Sequence, residues 1–151
     1  MLERGQRFDI VAAVQEVQGS NPYRASRACT QLTTWTNRKD WSEILPAFSR
    51  CVRITRDIKE DFKPDPALME SSEEKELYQS IEKALLLPRE NGSVDDLLNA
   101  FIPIIPSINQ FFDKVLVMAE DSKVRESRLG LLQQIVSLAD TVIDFSKLEG
   151  F

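Results

Sequence analysis

The feature that most constrains the fold of this chain is the spacing of apolar residues in its last third. One series advances in steps of four and three through Ile104, Ile108, Phe111, Val115 and Met118. A second series follows residue 120 and comprises Leu131, Ile135, Leu138, Val142 and Phe145. Such steps keep side chains on one face of a helix. The sequence therefore predicts two buried helices, the second capped by Asp121 and reaching Phe145, joined by a tight turn as an antiparallel hairpin.

Residues that commonly cap helices divide the rest of the chain. Asn, Ser and Asp side chains accept hydrogen bonds from the free N–H groups of a helix's first turn. Residues of this kind precede predicted helices at Asn21, Asp40, Ser71 and Ser93. Asp40 with Glu43 matches a capping box, and so does Ser71 with Glu74. Pro46 lacks an N–H donor, so we expect a kink or a late start in the helix that follows Asp40.

These elements indicate an all-α fold, an antiparallel helical bundle of about six to seven helices. Residues 59–70 contain two prolines and mixed charges and are typical of a loop. Residues 1–5 have no pattern, and we expect a frayed start there. With 151 residues, the chain is large enough for one core, so we expect residues 1–151 to form a single domain.

The large apolar side chains and both cysteines are expected in this core. Phe111, Phe112 and Met118 lie on or beside the first apolar face. Trp35 and Trp41 are expected to be mainly core residues. Cys29 and Cys51 each fall on an apolar helical face. Free thiols behave there as small hydrophobic groups, so a reducing compartment is expected.

The composition argues against a catalytic or metal site in this chain. It contains no histidine, which removes the commonest general base and metal ligand. Two cysteines on core faces do not make a zinc site, and five glycines are too few for a phosphate-binding loop. No apolar run of about 18 residues predicts a membrane span. We therefore expect a binding domain that has no catalytic site and no cofactor of its own.

The charge of the chain is unevenly distributed. The whole chain carries −5, but residues 20–59 contain eight cations and three acids, a net +5 that leaves −10 for the remainder. Within this basic segment, one helix carries arginines on its solvent face, and the helix before it carries a polar row along one flank. Together with a tryptophan beside that row, the candidate site residues are Arg50, Arg53, Arg56, Arg27, Gln31, Arg38 and Trp35. If the two helices pack antiparallel, both rows can line one groove.

Several segments of the chain resemble a known family. FFDKVLVMAED at residues 111–121, followed by VRESRLGLL at 124–132, resembles the C-terminal end of the β-subunit of bacterial-type glycyl-tRNA synthetase. WSEILPAFSRCVRIT at 41–55 resembles the preceding helix of the same domain, and FDIVAAV at 8–14 extends the likeness. That domain is the all-helical anticodon-binding domain, related to that of arginyl-tRNA synthetase. Where the family is expected to have Asn, this chain has Ser127.

The resemblance implies a function in RNA recognition within a larger synthetase chain. The chain would bind the anticodon arm of glycine tRNA for a class II synthetase, while ATP and glycine would be used by a catalytic α-subunit or a fused α region. A bacterial enzyme would be cytoplasmic, and an organellar one would lie in a plastid or mitochondrion. Guanidinium groups suit this role because they bind phosphate through paired hydrogen bonds and stack on bases, and Trp35 could offer a further stacking face.

Simpler interpretations of the same residues stay open at this point. The arginines could be a solvated face, with Arg53 and Asp57 forming an ion pair within the helix. The chain could also be a helical protein-interaction module that uses the basic face or the 59–70 loop and never touches RNA. Arg125 and Arg128 fall within the apolar face of the last helix, where a charge needs a partner. We interpret Arg128 as half of a structural ion pair, with RNA contact as the alternative.

Overall fold

The computed structural model describes residues 7–151, and in that range all regular structure is helical. The α-helices are α1 (Phe8–Gln18), α2 (Pro22–Thr36), α3 (Trp41–Thr55), α4 (Ser72–Leu86), α5 (Val94–Phe101), α6 (Ile105–Lys114) and α7 (Ser122–Ser137). Short 3₁₀ turns occupy Pro66–Leu68, Ile102–Ile104 and Phe145–Lys147. The predicted all-α bundle is confirmed. The frayed start expected at residues 1–5 lies outside the described residues.

The helices surround a hydrophobic core that extends from α1 to the end of the chain. Helix α3 packs chiefly against α7, with α6 and the last 3₁₀ turn beside it, while α4 packs on α6 and α7. On the other side, α2 packs on α1 and α5. Phe48 lies at the centre, with its ring centroid 4.1 Å from that of Phe145 and 5.4 Å from that of Phe101. Phe111 is fully buried, as predicted.

Most of the predicted caps are confirmed. The side chain of Asn21 accepts a hydrogen bond from the N–H of Arg24 at 3.1 Å. Ser93 and Asp121 cap α5 and α7 in the same way, and Ser71 with Glu74 forms the complete capping box of α4. These local contacts involve residues only two or three positions apart, which is why sequence alone locates them.

Two parts of the prediction for the start of α3 are wrong. Asp40 does not cap the helix, because its carboxylate accepts two hydrogen bonds from the guanidinium of Arg38, at 2.8 and 3.0 Å. The start is not delayed by Pro46, since α3 begins at Trp41 and includes the proline, while the kink expected as the alternative stays a prediction. Only one helical hydrogen bond is lost at a proline, and the buried side chains of α3 hold the helix in place despite it.

The predicted helical hairpin is also shorter than its apolar spacing suggested. Helix α6 ends at Lys114, and Val115 is extended with φ −114° and ψ 131°. From there burial alternates: Val115 and Val117 are buried, whereas Leu116 and Met118 are 69% and 55% exposed. The prediction of Met118 as a core residue is therefore wrong. A run of four apolar residues fits both the helical and the extended period, and only packing distinguishes them.

Helix α7 ends at Ser137 instead of continuing to Phe145. The N–H groups of Leu138 and Asp140 bond to carbonyls three residues back, which tightens the chain into turns. The main-chain oxygens of Leu138 and Val142 accept hydrogen bonds from the side chains of Arg89 and Gln18, at 2.5 and 2.8 Å. Leu138, Val142 and Phe145 are nevertheless buried, so the apolar spacing predicted burial correctly and helix length wrongly.

The loop at residues 59–70 is held against α7. The main-chain N–H of Phe62 donates to Oε1 of Gln133 at 2.8 Å, and that of Asp65 donates to Oγ of Ser127 at 2.9 Å. Between these two anchors lies Gly130, three residues from each along α7. A Cβ at Gly130 would lie 2.9 Å from the carbonyl oxygen of Phe62. Glycine is therefore required here by the close approach of two backbones.

Replacing Gly130 by alanine tests whether helix propensity or steric crowding has the larger effect on stability. Helix propensity alone predicts that Gly130→Ala stabilises the protein by about 1 kcal/mol. Because the added methyl would meet the backbone of residues 62–64, we expect destabilisation by about 1–3 kcal/mol instead. Urea denaturation measures the sign, with Ser137→Ala on the exposed face of α7 as the control. A more stable Gly130→Ala variant would contradict the tight contact.

Both cysteines are free and buried, as predicted. Burial raises the pKa of the Cys51 thiol to about 12. A thiol with so high a pKa stays protonated near neutral pH, so Cys51 is a packing residue.

Candidate nucleic-acid interface

Three of the predicted site residues, Arg50, Arg53 and Arg56, are exposed on the same side of α3. Steps of three along a helix turn the side chain by about 60° each, so the three guanidinium groups spread over about a third of the helix circumference. Arg50 and Arg53 lie in the last two turns of α3 and Arg56 is its C-cap, where the helix dipole favours positive charge. We refer to Arg50, Arg53 and Arg56 together as the arginine face.

Two arginines of this face are positioned by aromatic rings. The guanidinium carbon of Arg50 lies 4.3 Å from the ring centroid of Phe112, on α6. That of Arg53 lies 5.7 Å from the ring centroid of Phe151, and its Nη2 donates to the main-chain oxygen of Phe151 at 2.8 Å. An aromatic ring restrains a guanidinium without occupying all of its N–H donors. Arg50 and Arg53 are both exposed, so their remaining N–H donors are accessible to a ligand.

Arg56 lies at the end of α3 beside a cavity of 270 Å³. Asp61 and Asp140 border the same cavity. Within residues 7–151, the Arg56 side chain is exposed and forms no hydrogen bond or ion pair. Partial burial raises the pKa of Asp140, and the nearby charge of Asp61 raises it further. Both signs of charge therefore meet at this end of the arginine face.

The candidates on α2 bind other parts of the protein. Nη1 of Arg27 contacts Oε1 of Glu90 at 2.5 Å, and Nη2 donates to the main-chain oxygen of Asn91 at 3.0 Å. Oε1 of Gln31 accepts a hydrogen bond from the N–H of Val94 at 2.8 Å. Arg27 and Gln31 thus hold the start of α5 against α2, and RNA binding would have to replace these contacts.

Trp35 and Arg38 form a second local cluster. Trp35 is only 5% exposed, and its indole N–H donates to Asp95 at 2.8 Å, so its assignment to the core is confirmed. The guanidinium of Arg38 covers the ring at 4.2 Å and also binds Asp40. The ring face that a base could stack on is therefore occupied by Arg38 in this conformation. Trp41 is likewise buried, stacked with Phe145.

The two basic rows lie on helices whose main packing partners differ. Helix α2 packs chiefly against α1 and α5, and α3 chiefly against α7. The groove expected from packing of α2 on α3 is therefore not supported by the main helix contacts within residues 7–151. Of the seven candidates, the structure groups Arg50, Arg53 and Arg56 at the C-terminal end of α3.

Arg128 forms the predicted structural ion pair. Its Nη2 lies 3.1 Å from Oε1 of Glu74, which is fully buried, and its Nη1 donates to the main-chain oxygen of Leu116 at 2.7 Å. Burial favours the neutral acid, but hydrogen bonds from Arg128 and Ser71 outweigh it, so the pKa of Glu74 is lowered. Arg125 donates to the main-chain oxygen of Ala119 at 3.0 Å. Both arginines thus hold the segment that joins α6 to α7.

The residues that support the arginine face were not predicted from the sequence. Phe112 was assigned to the core, and Phe151 and Asp140 were not singled out. Phe112 and Phe151 are 62 and 98 residues from the arginines that they contact. Local periodicity carries no signal at such separations, so only the tertiary structure identifies these contacts.

No helix among residues 7–151 is both long and apolar enough to cross a membrane. The same residues contain no group of three or more Cys, Asp or Glu side chains arranged to hold a metal ion.

The sequence of this chain is similar to parts of several known proteins. The glycine--tRNA ligase beta subunit of Sulfurihydrogenibium sp. (strain YO3AOP1) is 36% identical over 156 residues, covering 99% of this chain and 23% of that protein. The beta subunit from Persephonella marina is 32% identical, covering 98% of this chain and 21% of that protein. Arabidopsis thaliana glycine--tRNA ligase, chloroplastic/mitochondrial 2, is 28% identical, covering 100% of this chain and 14% of that protein.

The chain thus spans about a fifth of the length of the bacterial relatives that it matches. The model of the DALR anticodon binding domain matches residues 44–148, which include the whole arginine face and exclude α2. The resemblance inferred from the 41–55 and 111–132 segments is therefore confirmed. On its sequence and its all-helical fold, this chain belongs to the family of DALR anticodon binding domains.

Proposed function

We propose that residues 1–151 form a single domain that binds the anticodon arm of glycine tRNA for a class II glycyl-tRNA synthetase. The observation that carries this proposal is the arginine face: three exposed arginines at the C-terminal end of α3, two of them restrained by aromatic rings, within the segment matched by the family. Positive groups held on one side of a rigid helix are suited to a phosphate backbone.

The mechanism is recognition of a single-stranded loop. The arginines hold the RNA backbone, and neighbouring groups bond the edges of bases that the loop leaves unstacked. Glycine anticodons end in two cytosines, each of which offers one amino donor and two acceptors. A carboxylate or main-chain oxygen should therefore accompany an arginine or glutamine at the site.

The chemical steps belong to other parts of the proposed enzyme. Since the similar proteins are named as ligase subunits about five times longer, we propose that a catalytic α-subunit or a fused α region uses ATP and glycine. The relatives come from bacteria and from a chloroplastic/mitochondrial enzyme. We propose a bacterial cytoplasm, or a plastid or mitochondrion, as the compartment.

A binding titration tests the function. The 151-residue chain is titrated with a glycine anticodon stem-loop and with a copy in which purines replace both cytosines, at two salt concentrations. We expect tighter binding to the glycine loop, with an affinity ratio that persists as salt rises. Both affinities should fall with salt, because phosphate contacts release counterions. Equal binding to the two RNAs would leave only a nonspecific basic surface.

The arginine face makes a prediction of its own. Arg50→Ala and Arg53→Ala should each weaken binding to the glycine stem-loop by roughly tenfold or more, since a charged hydrogen bond is lost. Thermal melting should change little, because both side chains are exposed. Lys75→Ala, which removes a charge from α4, is the matched control and should bind normally. Normal affinity in both arginine variants would exclude this face as the site.

The protein-interaction alternative makes a different prediction. It requires that the chain bind neither stem-loop and instead capture an acidic partner through the arginine face. The 59–70 loop is a weaker docking candidate than its sequence suggested, because Gln133 and Ser127 already accept its N–H donors. Base selectivity in the titration would exclude this alternative.

A further inference from the structure

The end of α4 exposes three consecutive leucines. Leu86 is 84% exposed, and Leu85 and Leu87 are each about half exposed. Ala84 is the last buried residue of α4, and each residue after it turns by about 100° around the helix axis. None of the three leucines therefore returns to the buried face before the helix ends at Leu86. The core of this domain does not account for three apolar side chains at this position.

A cavity of 310 Å³ opens beside these leucines, where α4 packs on the 3₁₀ turn at Ile102–Ile104. Ala84 and Ala100 border the cavity, and both are buried residues with small side chains, which leaves space above them. Leu87 and Pro103 also line it. The cavity is therefore of suitable size for one large apolar side chain from another segment. We refer to the three leucines and this cavity together as the leucine patch.

The size of the leucine patch indicates a partner within the same polypeptide. Three leucines exposed to this extent present on the order of 300 Å² of apolar surface, less than half of the roughly 800 Å² that each partner of a stable complex contributes. A freely diffusing partner would therefore be held weakly. A segment linked through the chain binds at a high effective concentration, so a small surface is sufficient. Since the similar beta subunits are about five times longer than this chain, a longer synthetase chain would supply such segments.

A lysine beside the cavity indicates the charge of that segment. Lys83 is exposed and lines the cavity, and it forms no ion pair with another residue in the range 7–151. A segment with an acid next to its apolar side chain would complement this charge.

The leucine patch and the arginine face lie near opposite ends of α6. Pro103 precedes the start of this helix, which is roughly 15 Å long, and Phe112 lies near its end. Phe112 is the ring that contacts Arg50. A segment bound at the leucine patch would therefore leave the arginine face open to RNA.

We propose that the leucine patch binds another segment of the same synthetase polypeptide, one that carries a large apolar side chain for the cavity and an acid for Lys83. This contact holds the domain in place relative to the rest of the enzyme. The inference rests on the part of the proposed function that assigns these residues to a longer synthetase chain, and it does not depend on RNA binding.

Thiol labelling tests whether the patch is covered. Leu85→Cys places an accessible thiol at the edge of the patch and keeps the other two leucines, whereas Cys29 and Cys51 are buried and react slowly. The variant is made in the 151-residue chain and in the full-length synthetase subunit that contains it. Reaction of the introduced thiol with iodoacetamide is followed by peptide mass spectrometry. We expect it to be about tenfold slower in the full-length subunit, because the covered state predominates there.

Two further variants identify the cause of the protection. Glu76→Cys, at an exposed position of α4 away from the patch, is the control and should react at the same rate in both proteins. Adding Leu86→Ser to Leu85→Cys should restore the fast reaction in the full-length subunit, because it removes the most exposed leucine of the patch. Melting of the 151-residue chain should change little in each variant, since these side chains are exposed.

The outcomes separate this contact from other partners and from RNA binding. Equal labelling rates of Leu85→Cys in the two proteins would overturn the proposal, and so would protection that persists after Leu86→Ser. Protection in the 151-residue chain alone, with dimers in sedimentation velocity, would overturn it in favour of a second copy. Protection that requires an added catalytic α-subunit would overturn it in favour of that subunit. If the unsubstituted chain binds no stem-loop but protection is observed, anticodon binding fails and the docking proposal stands.

Discussion

Arg128→Met is expected to lower the free energy of unfolding by about 3–5 kcal/mol, because it leaves a buried carboxylate without its cation. The carboxylate is that of Glu74, which is fully buried and bonded to Nη2 of Arg128 at 3.1 Å. Methionine fills much of the space of the arginine stem, so most of the loss is electrostatic. Urea denaturation followed by circular dichroism measures it.

Two controls identify the source of that loss. Lys123→Met removes an exposed cation from the first turn of α7 and should change stability by no more than about 0.5 kcal/mol. The double variant Glu74→Met/Arg128→Met removes both charges and should recover part of the loss. Recovery stays incomplete because Ser71 loses its capping-box partner. If Arg128→Met is as stable as Lys123→Met, the ion pair contributes nothing to the free energy of unfolding.

The ion pair of Glu74 and Arg128 predicts that the stabilities of the unsubstituted chain and of Arg128→Met depend on pH in opposite ways. In the unsubstituted chain the pKa of Glu74 is below its ordinary 4.5, so this stabilisation is present above pH 4.5 and is lost as pH falls through the lowered pKa. Without Arg128, burial raises the pKa of Glu74 above 4.5, and the penalty is relieved as pH falls through it. The stability difference between the two proteins should therefore begin to shrink above pH 4.5, as pH falls through the raised pKa of Glu74 in the variant, and should shrink further below pH 4.5. A constant difference from neutral to acidic pH would contradict this assignment.

Phe111→Ala is expected to cost about 3–5 kcal/mol, because it removes a buried aromatic ring and leaves a cavity. Phe111 is fully buried and packs edge-on against Phe112, with ring centroids 5.9 Å apart. For a chain of this size, each kcal/mol lowers the melting temperature by about 2–4 °C. Since Phe112 supports Arg50, RNA binding should weaken as well.

Met118→Ala is the matched control for Phe111→Ala. Both residues lie on the apolar face predicted from the sequence, but Met118 is 55% exposed. Its truncation should change stability by no more than about 0.5 kcal/mol. Equal losses of stability in the two variants would indicate that Met118 is a core residue and that the longer helix predicted from the sequence is correct. An unchanged melting transition for Phe111→Ala would remove Phe111 from the core.

The sequence predicts which charged residues of the candidate site are exposed, but it does not predict which side chains surround them. Arginines at steps of three on an amphipathic helix indicate an exposed cationic face, and Arg50, Arg53 and Arg56 form one. Which side chains accompany them depends on contacts between distant segments. Arg27 looked equivalent in sequence, but it binds Glu90 and Asn91, 63 and 64 residues away. No local pattern encodes that choice.

Local sequence patterns are sufficient to predict the helical class, four of the helix caps and much of the core. These follow from local physics: cap bonds span two or three residues, and burial follows the helical period. The ends of α6 and α7 depend on contacts that no local pattern encodes. After Lys114 the chain leaves the helix, and the main-chain oxygens of Leu116 and Ala119 accept hydrogen bonds from Arg128 and Arg125. Hydrogen bonds between segments can override local propensity, since buried polar groups must find partners wherever the fold supplies them.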